Sequence, residues 1–377
     1  MTAAGYVIER ADFDALPAAL RAHGYTVIGP TIREGAIVYD EIAAAADLPV
    51  GWTDEQDGGH YRLVRRDDDA LFGYAVGPDS LKRYQLPADL TVWSARVDDA
   101  GGLTGVAPAE APPPRYAFLG ARSCELQAMG ILGRVLLGGA RPDPAQAARC
   151  RDPFVIAVQC AHAGGTCFCV SMGTGPVAER GFDLALTEIV EPGAHRFAVE
   201  VAGERGAAVL ADVPHRTASD EDRARAAGVH ARTAARMGRT LETEGIKELL
   251  YRNLEHPRWD DVAERCLSCG NCTMVCPTCF CTTVEDTTDL TGERVQRTQR
   301  WDSCFTVDYS AMHGGSVRTS SRSRYRQWMT HKLATWHDQF DSSGCVGCGR
   351  CITWCPVAID ITEEAAAIRD SERAPDG

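Results

Sequence analysis

Two short cysteine runs constrain this chain more than any other feature. Cys266, Cys269, Cys272, Cys276 and Pro277 are echoed by Cys345, Cys348, Cys351, Cys355 and Pro356, and both spell C-x2-C-x2-C-x3-C-P. This is the bacterial ferredoxin spacing, and two copies point to a pair of [4Fe–4S] cubanes. Three cysteines at three-residue intervals curl around one cubane, while the fourth reaches the other cluster. The spacing therefore predicts one cluster on Cys266, Cys269, Cys272 and Cys355, and a second on Cys345, Cys348, Cys351 and Cys276. Each proline ends the local helix and turns the fourth thiolate away. Gly270 and Gly349 carry no side chain, so the backbone can approach a cubane closely. Structural zinc is the competing reading, but zinc takes pairs of C-x2–4-C knuckles across longer loops. Evenly spaced triplets followed by Cys-Pro fit that poorly.

The chain holds sixteen cysteines, eleven of them between Cys266 and Cys355. Disulfide frameworks are rarely so locally periodic, and the start, MTAAGYVIERADFDAL, reads as neither a secretory nor a twin-arginine signal. No window approaches the roughly 18 apolar residues of a membrane span. The expectation is a cytoplasmic protein with no direct membrane insertion. A net charge of −13 without a Lys/Arg-rich tail argues against nucleic acid as a partner.

With 377 residues, 45% of them hydrophobic, the chain is long enough for two or three domains. The expected class is α+β and multidomain, in three regions. Residues 1–112 form an N-terminal α+β region, with a helix over Asp12–His23 and strands at Tyr25–Ile28, Ala36–Tyr39, Tyr61–Arg65 and Leu71–Val76. The Pro-rich stretch Ala107–Pro114 is a candidate linker. Residues 113–240 read as an α/β domain. Strand Tyr116–Leu119, a helix through Leu126, Met129, Leu132 and Leu136, and strand Phe154–Val158 make a parallel βαβ unit. Arg196–Val201 is a further strand and Ser219–Arg236 a surface helix. Residues 241–377 form a mostly helical two-cluster ferredoxin-type domain. It opens with an amphipathic helix over Leu241–Leu254 and ends in a charged, frayed tail.

Four more cysteines point to a third [4Fe–4S] site. Cys124 and Cys160 follow the two strands of the βαβ unit, at the carboxyl edge where open α/β sheets place ligands. Ser123 is a candidate N-cap that would set the Cys124 thiolate against the helix dipole. Cys167 and Cys169 follow on a loop that begins Gly164-Gly165. Cys150 precedes its strand and should stay unligated. Ordinary buried thiols and zinc are the alternatives. Cys279, Cys281 and Cys304 are rival ligands, because Thr278–Cys281 duplicates Thr166–Cys169 as Thr-Cys-Phe-Cys.

The fourth cysteine of the first run and the first of the second are 69 positions apart. A helix over Thr319–Trp336 lies between them. Arg318, Arg322, Arg324, Arg326 and Lys332 suggest a basic side, either a solvated face or a docking surface for an acidic partner. No phosphate-binding glycine loop and no dinucleotide fingerprint occurs. No cysteine pairs are placed as nickel ligands.

The segments CLSCGNCTMVCPTCFCTTVED, WDSCF and CVGCGRCITWCPVAIDIT resemble the beta subunits of cytoplasmic NiFe hydrogenases of the sulfhydrogenase type. GYAVGPDSLKRYQLP, GARSCEL and GGTCFCVSMGTGP extend the resemblance over nearly the whole chain. The iron–sulfur subunit of anaerobic sulfite reductase shares this 4Fe–4S dicluster architecture, though CITWCPVAIDIT looks closer to the hydrogenase side. The resemblance implies a non-catalytic electron-transfer subunit of an NAD(P)-linked hydrogenase. Its partners would be the NiFe hydrogenase small and large subunits and a flavin-containing, NAD(P)H-reactive subunit. Two other readings stay open: the iron–sulfur component of an anaerobic sulfite reductase or another soluble redox complex, and an iron–sulfur sensor or regulatory protein. A sensor needs a labile cluster and an effector domain, and the sequence shows no such domain.

Overall fold

The computed structural model describes residues 4–107 and 113–373. Among them the largest sheet has eight strands, in the spatial order Arg216–Thr217, Tyr6–Glu9, Ala194–Val201, Leu184–Glu191, Phe154–Val158, Tyr116–Ala121, Thr26–Arg33 and Ala36–Glu41. The sheet is mixed. Phe154–Val158 runs parallel to both neighbours, and Tyr116–Ala121 runs parallel to Thr26–Arg33. The outer pairs are antiparallel. The central strand Phe154–Val158 is buried at every position, as an apolar parallel strand covered on both faces should be. Phe13, Leu16, Phe72, Leu119, Ile156 and Phe197 fill the core on one face.

The expected βαβ unit is present: Tyr116–Ala121, then a helix over Ser123–Leu137, then the parallel strand Phe154–Val158. That helix ends at Gly138, whose N–H returns to the Arg134 carbonyl at 3.0 Å. The surface helix starts one residue after its cap. Ser219 accepts from the Asp222 N–H, and the helix runs over Asp220–Ala234.

Leu71–Val76 is not a strand. Its backbone is satisfied by buried side chains instead of a ladder. The Leu71 and Phe72 N–H groups donate to the Glu188 carboxylate at 2.6 and 2.8 Å, and the Ala75 N–H to Asp54. The Arg122 guanidinium donates to the Phe72 and Tyr74 carbonyls. The helix expected over Leu241–Leu254 is confined to Ile246–Arg252, because Gly245 before it is left-handed at φ 64°. Of the linker Ala107–Pro114, residues 108–112 lie outside the described residues. The C-terminal helix extends over Ile361–Arg373, and residues 374–377 also lie outside them.

The insert between the cysteine runs begins with a β-hairpin, Thr282–Thr288 paired with Arg294–Trp301. The hairpin joins Asp89–Val97 and Leu103–Ala107 in a four-stranded sheet. Helical structure follows: Ser321–Thr330, a π-helical stretch His331–Thr335, then Trp336–Phe340. A second core of Trp259, Met329, Leu333, Ile352 and Ile368 holds the cysteine-rich region together, and Phe168 from the α/β region plugs into it.

Candidate metal centre

Each cysteine run folds as a tight loop leading into one turn of helix, Asn271–Met274 and Arg350–Thr353. Gly270 and Gly349 precede these turns in the left-handed region, at φ 77° and 76°. The short helices pack against each other, which turns the two runs face to face. One cavity results whose wall carries Cys266, Cys269, Cys272 and Cys355, with Cys351 beside them. Backbone amides point at the sulfurs: Ser268 N to Cys266 Sγ at 3.4 Å, Ile359 N to Cys355 Sγ at 3.3 Å, and Gly347 N to Cys345 Sγ at 3.4 Å.

Cys276 lies on the side of the second run, where it is among the electrostatic neighbours of Cys345, Cys348 and Cys351. The hydrogen bond with Cys279, helped by the nearby Lys332 ammonium, holds the Cys276 thiol well below its usual range. Lys332 Nζ is 3.1 Å from Cys276 Sγ. Burial acts the other way on the thiols of Cys169, Cys304 and Cys345 and pushes each up to about 12. Such sulfurs give up their protons when a metal takes the proton's place.

The cysteines of the α/β region come near one another in pairs, and Cys124 has neither Cys160 nor Cys167 among its strongest electrostatic neighbours. Cys167 has Cys169, Cys160 and Cys348 among its electrostatic neighbours, and Cys124 has Cys348 and Cys169. Ser123 does not cap the helix. It is the first helical residue, and its hydroxyl donates to the Thr174 and Val177 carbonyls. Burial raises the Cys124 pKa well above its ordinary value, so desolvation outweighs the helix dipole. Cys150 is apart from this group, with Gln85 as its hydrogen-bond partner.

The two Thr-Cys-Phe-Cys tetrapeptides grip the second run at two points. Phe168 N donates to the Gly347 carbonyl at 2.8 Å, and Thr278 Oγ1 to the Gly344 carbonyl at 2.6 Å. A Cβ on Gly347 would meet the Cys169 backbone at 2.7 Å, and one on Gly349 the Thr166 carbonyl oxygen at 2.3 Å. These glycines let the α/β loop lie directly on the cluster-type loop. A buried ion pair adds to the clamp. Arg350 reaches Glu125, and also donates to the Gly77 and Asp79 carbonyls at 2.8 and 2.9 Å.

The expected basic side is not a free surface. Arg324 and Lys332 are buried. Arg322 and Arg326 are paired with Glu255, and Arg318 donates to Gln327. Lys82, which no sequence pattern singles out, is also buried, with its ammonium 3.8 Å from the centre of the Trp301 ring.

Among the described residues no three His, Cys, Asp or Glu side chains converge closely enough to hold a single metal ion. A cubane, with its thiolates on four corners, asks for a wider ring than mononuclear zinc does. Thiols from both runs around one cavity, with amides directed at their sulfurs, fit that group. These features belong to an iron–sulfur protein of the two-cluster ferredoxin class, and a 4Fe-4S dicluster domain model matches residues 265–359. Sulfhydrogenase 2 subunit beta of Pyrococcus furiosus is 31% identical over 264 residues, 68% of this chain and 75% of that relative. The chain belongs to the sulfhydrogenase beta-subunit family. No solved structure matches it. Among the described residues no helix is long and apolar enough to cross a membrane.

Proposed function

We propose that this chain is the iron–sulfur relay of a cytoplasmic NiFe hydrogenase complex. In this reading it stands between a flavin subunit that reacts with NAD(P)H and the NiFe small and large subunits, and performs no substrate chemistry of its own. Cys266, Cys269, Cys272 and Cys355 hold one [4Fe–4S] cluster, and Cys345, Cys348, Cys351 and Cys276 hold a second. Cys124, Cys160, Cys167 and Cys169 hold a third. The clusters supply one-electron redox chemistry at low potential. The protein's part is to fix them, direct amide dipoles at their sulfurs and surround them with apolar side chains. The observation that carries this reading is the cavity walled by three thiols of the first run and Cys355 of the second. Ligation across the runs ties the clusters into one unit, as a relay requires.

The test is anaerobic purification of the native complex, followed by Cys276→Ser. A flavoprotein and a NiFe large subunit should co-purify; a siroheme protein in their place would overturn the hydrogenase assignment. Cys276→Ser should damage the cluster on Cys345, Cys348 and Cys351. Spectroscopic damage restricted to the cluster on Cys266, Cys269 and Cys272 would refute ligation across the runs.

A further inference from the structure

Eleven cysteines lie between Cys266 and Cys355, and the two runs use eight. The other three, Cys279, Cys281 and Cys304, are brought together by the hairpin that separates them in sequence. The hairpin Thr282–Thr288/Arg294–Trp301 pairs Thr282 with Trp301, so its open end sets Cys281 next to the turn that carries Cys304. The Asp302 N–H donates to the Cys281 carbonyl at 2.8 Å. The hydroxyl of Ser303 lies 2.7 Å from that of Thr273 in the first run. All three thiols stand on the wall of one cavity with His331, Tyr309 and Lys332. Its volume is about 300 Å³, against about 30 Å³ for the cavity at the first run.

A second observation points to an anionic occupant. Lys332 and Lys82 are 4% and 3% exposed. A buried ammonium is costly unless an anion faces it. Among the described residues, the strongest charged and titratable neighbours of these two lysines are the thiols of Cys276, Cys279 and Cys345 together with other cations, and no carboxylate is among them. Lys332 Nζ lies 3.1 Å from Cys276 Sγ and 3.2 Å from Thr278 Oγ1, while Lys82 Nζ lies 3.2 Å from the Cys279 carbonyl oxygen. Lys332 and His331 sit on the π-helical stretch His331–Thr335. Such one-turn widenings are rare and frequently lie at functional sites.

We propose that Cys279, Cys281 and Cys304 bind a further [4Fe–4S] cluster, with His331 supplying a ring nitrogen to the fourth iron and Lys82 and Lys332 as buried countercharges. Each thiol releases its proton to solvent as its sulfur binds iron, and the finished cluster takes up or returns one electron. Thiolates alone would leave the two lysines facing localised sulfur charge; a cluster spreads that charge over the cavity, whose wall also carries Thr273, Gln327, Thr335 and Gln339. This site lies on the Thr278–Cys281 side of the second run, and Cys160, Cys167 and Cys169 lie on the Thr166–Cys169 side. The second run thereby becomes a junction with redox groups on both sides. The inference rests on the proposed cluster at Cys276, Cys345, Cys348 and Cys351 for that junction role, and that cluster shares the lysine charge through Cys276; the ligand set rests on the cavity and stands separately.

The experiment uses the full chain, purified anaerobically and reconstituted with iron and sulfide. Replacing Cys279, Cys281 and Cys304 together by Ser should lower iron by about four per chain, one cubane, and remove one cluster's spectrum from the reduced-state EPR. The spectra of the two ferredoxin-run clusters should remain. Unchanged iron content would overturn the site. If the triple variant does not fold, Cys304→Ser alone should convert this cluster to a three-iron form with its own oxidised-state EPR signal, and failure to do so refutes the ligand assignment. His331→Ala should abolish the strong nitrogen hyperfine coupling of a directly bound ring nitrogen in pulsed EPR, leaving only the weak couplings of hydrogen-bonded amides; persistence of the strong coupling excludes the ring nitrogen as ligand. Lys332→Met should keep its iron but move to more negative values the midpoint potential of the cluster that the triple variant lacks, because the cation favours the reduced, more negative cluster. An unmoved potential refutes the countercharge role. Loss of the hydrogenase partners in purification would bear on the proposed complex and leave these iron counts untouched.

Discussion

The two cysteine runs share a spelling and differ in almost everything around it. Leu267 and Val346 hold the same place in their runs, yet Leu267 is 63% exposed and Val346 2%. Cys269 is exposed, while its counterpart Cys348 is buried. Asn271 donates to the Trp354 carbonyl from an exposed position. Its counterpart Arg350 is fully buried, held by Glu125 and two carbonyls of the segment Gly77–Asp79. Identical ligand spacing thus serves two settings. The first run presents its loop outward, where a partner can approach. The second is the inner junction onto which the α/β loop, both Thr-Cys-Phe-Cys segments and the π-helical stretch converge.

Replacing Arg350 tests this contrast hardest. Arg350→Met leaves Glu125 buried without its cation, and should cost about 3–5 kcal/mol. Asn271→Ala should stay within about 0.5 kcal/mol. Anaerobic unfolding at matched iron content measures both, and equal losses would break the comparison.

A smaller effect is expected where the loops touch. Gly347→Ala puts a methyl group against the Phe168–Cys169 backbone at a residue with φ 63°. Crowding and backbone strain together should cost about 1–3 kcal/mol. Ser268 occupies the same place in the first run at φ 51°. Ser268→Gly should shift stability by under about 1 kcal/mol, despite the lost hydroxyl contact with Ser321 at 2.8 Å.

The mildest pair is apolar. Val346→Ala removes two buried methyl groups and should cost about 1.6 kcal/mol, at about 0.8 each. Leu267→Ala should change stability by no more than about 0.5 kcal/mol. A larger loss at Leu267 would mean that the first run is covered within the chain.

Sequence by itself determined what depends on a few neighbouring residues. The interval of three between cysteines predicts which sulfurs of a run can share one cubane, because four residues of backbone span only a short loop. The βαβ unit was legible from the apolar strands Tyr116–Leu119 and Phe154–Val158 and the periodic helix between them. The surface helix over Ser219–Arg236 was legible as well, and the structure adds that Ser219 caps it through Asp222, three residues away. Tertiary structure alone decided what depends on residues brought from afar. Leu71–Val76 reads as a strand from its apolar run, but Glu188, Asp54 and Arg122 take its hydrogen bonds first. Lys332 reads as part of a basic helix face, yet the chain folds it inward against Cys276. Lys82 gives no sign in sequence that Trp301 will cover it. A charge's role is set by what desolvates it and what faces it, and for these lysines both come from segments about 50 to 220 positions away.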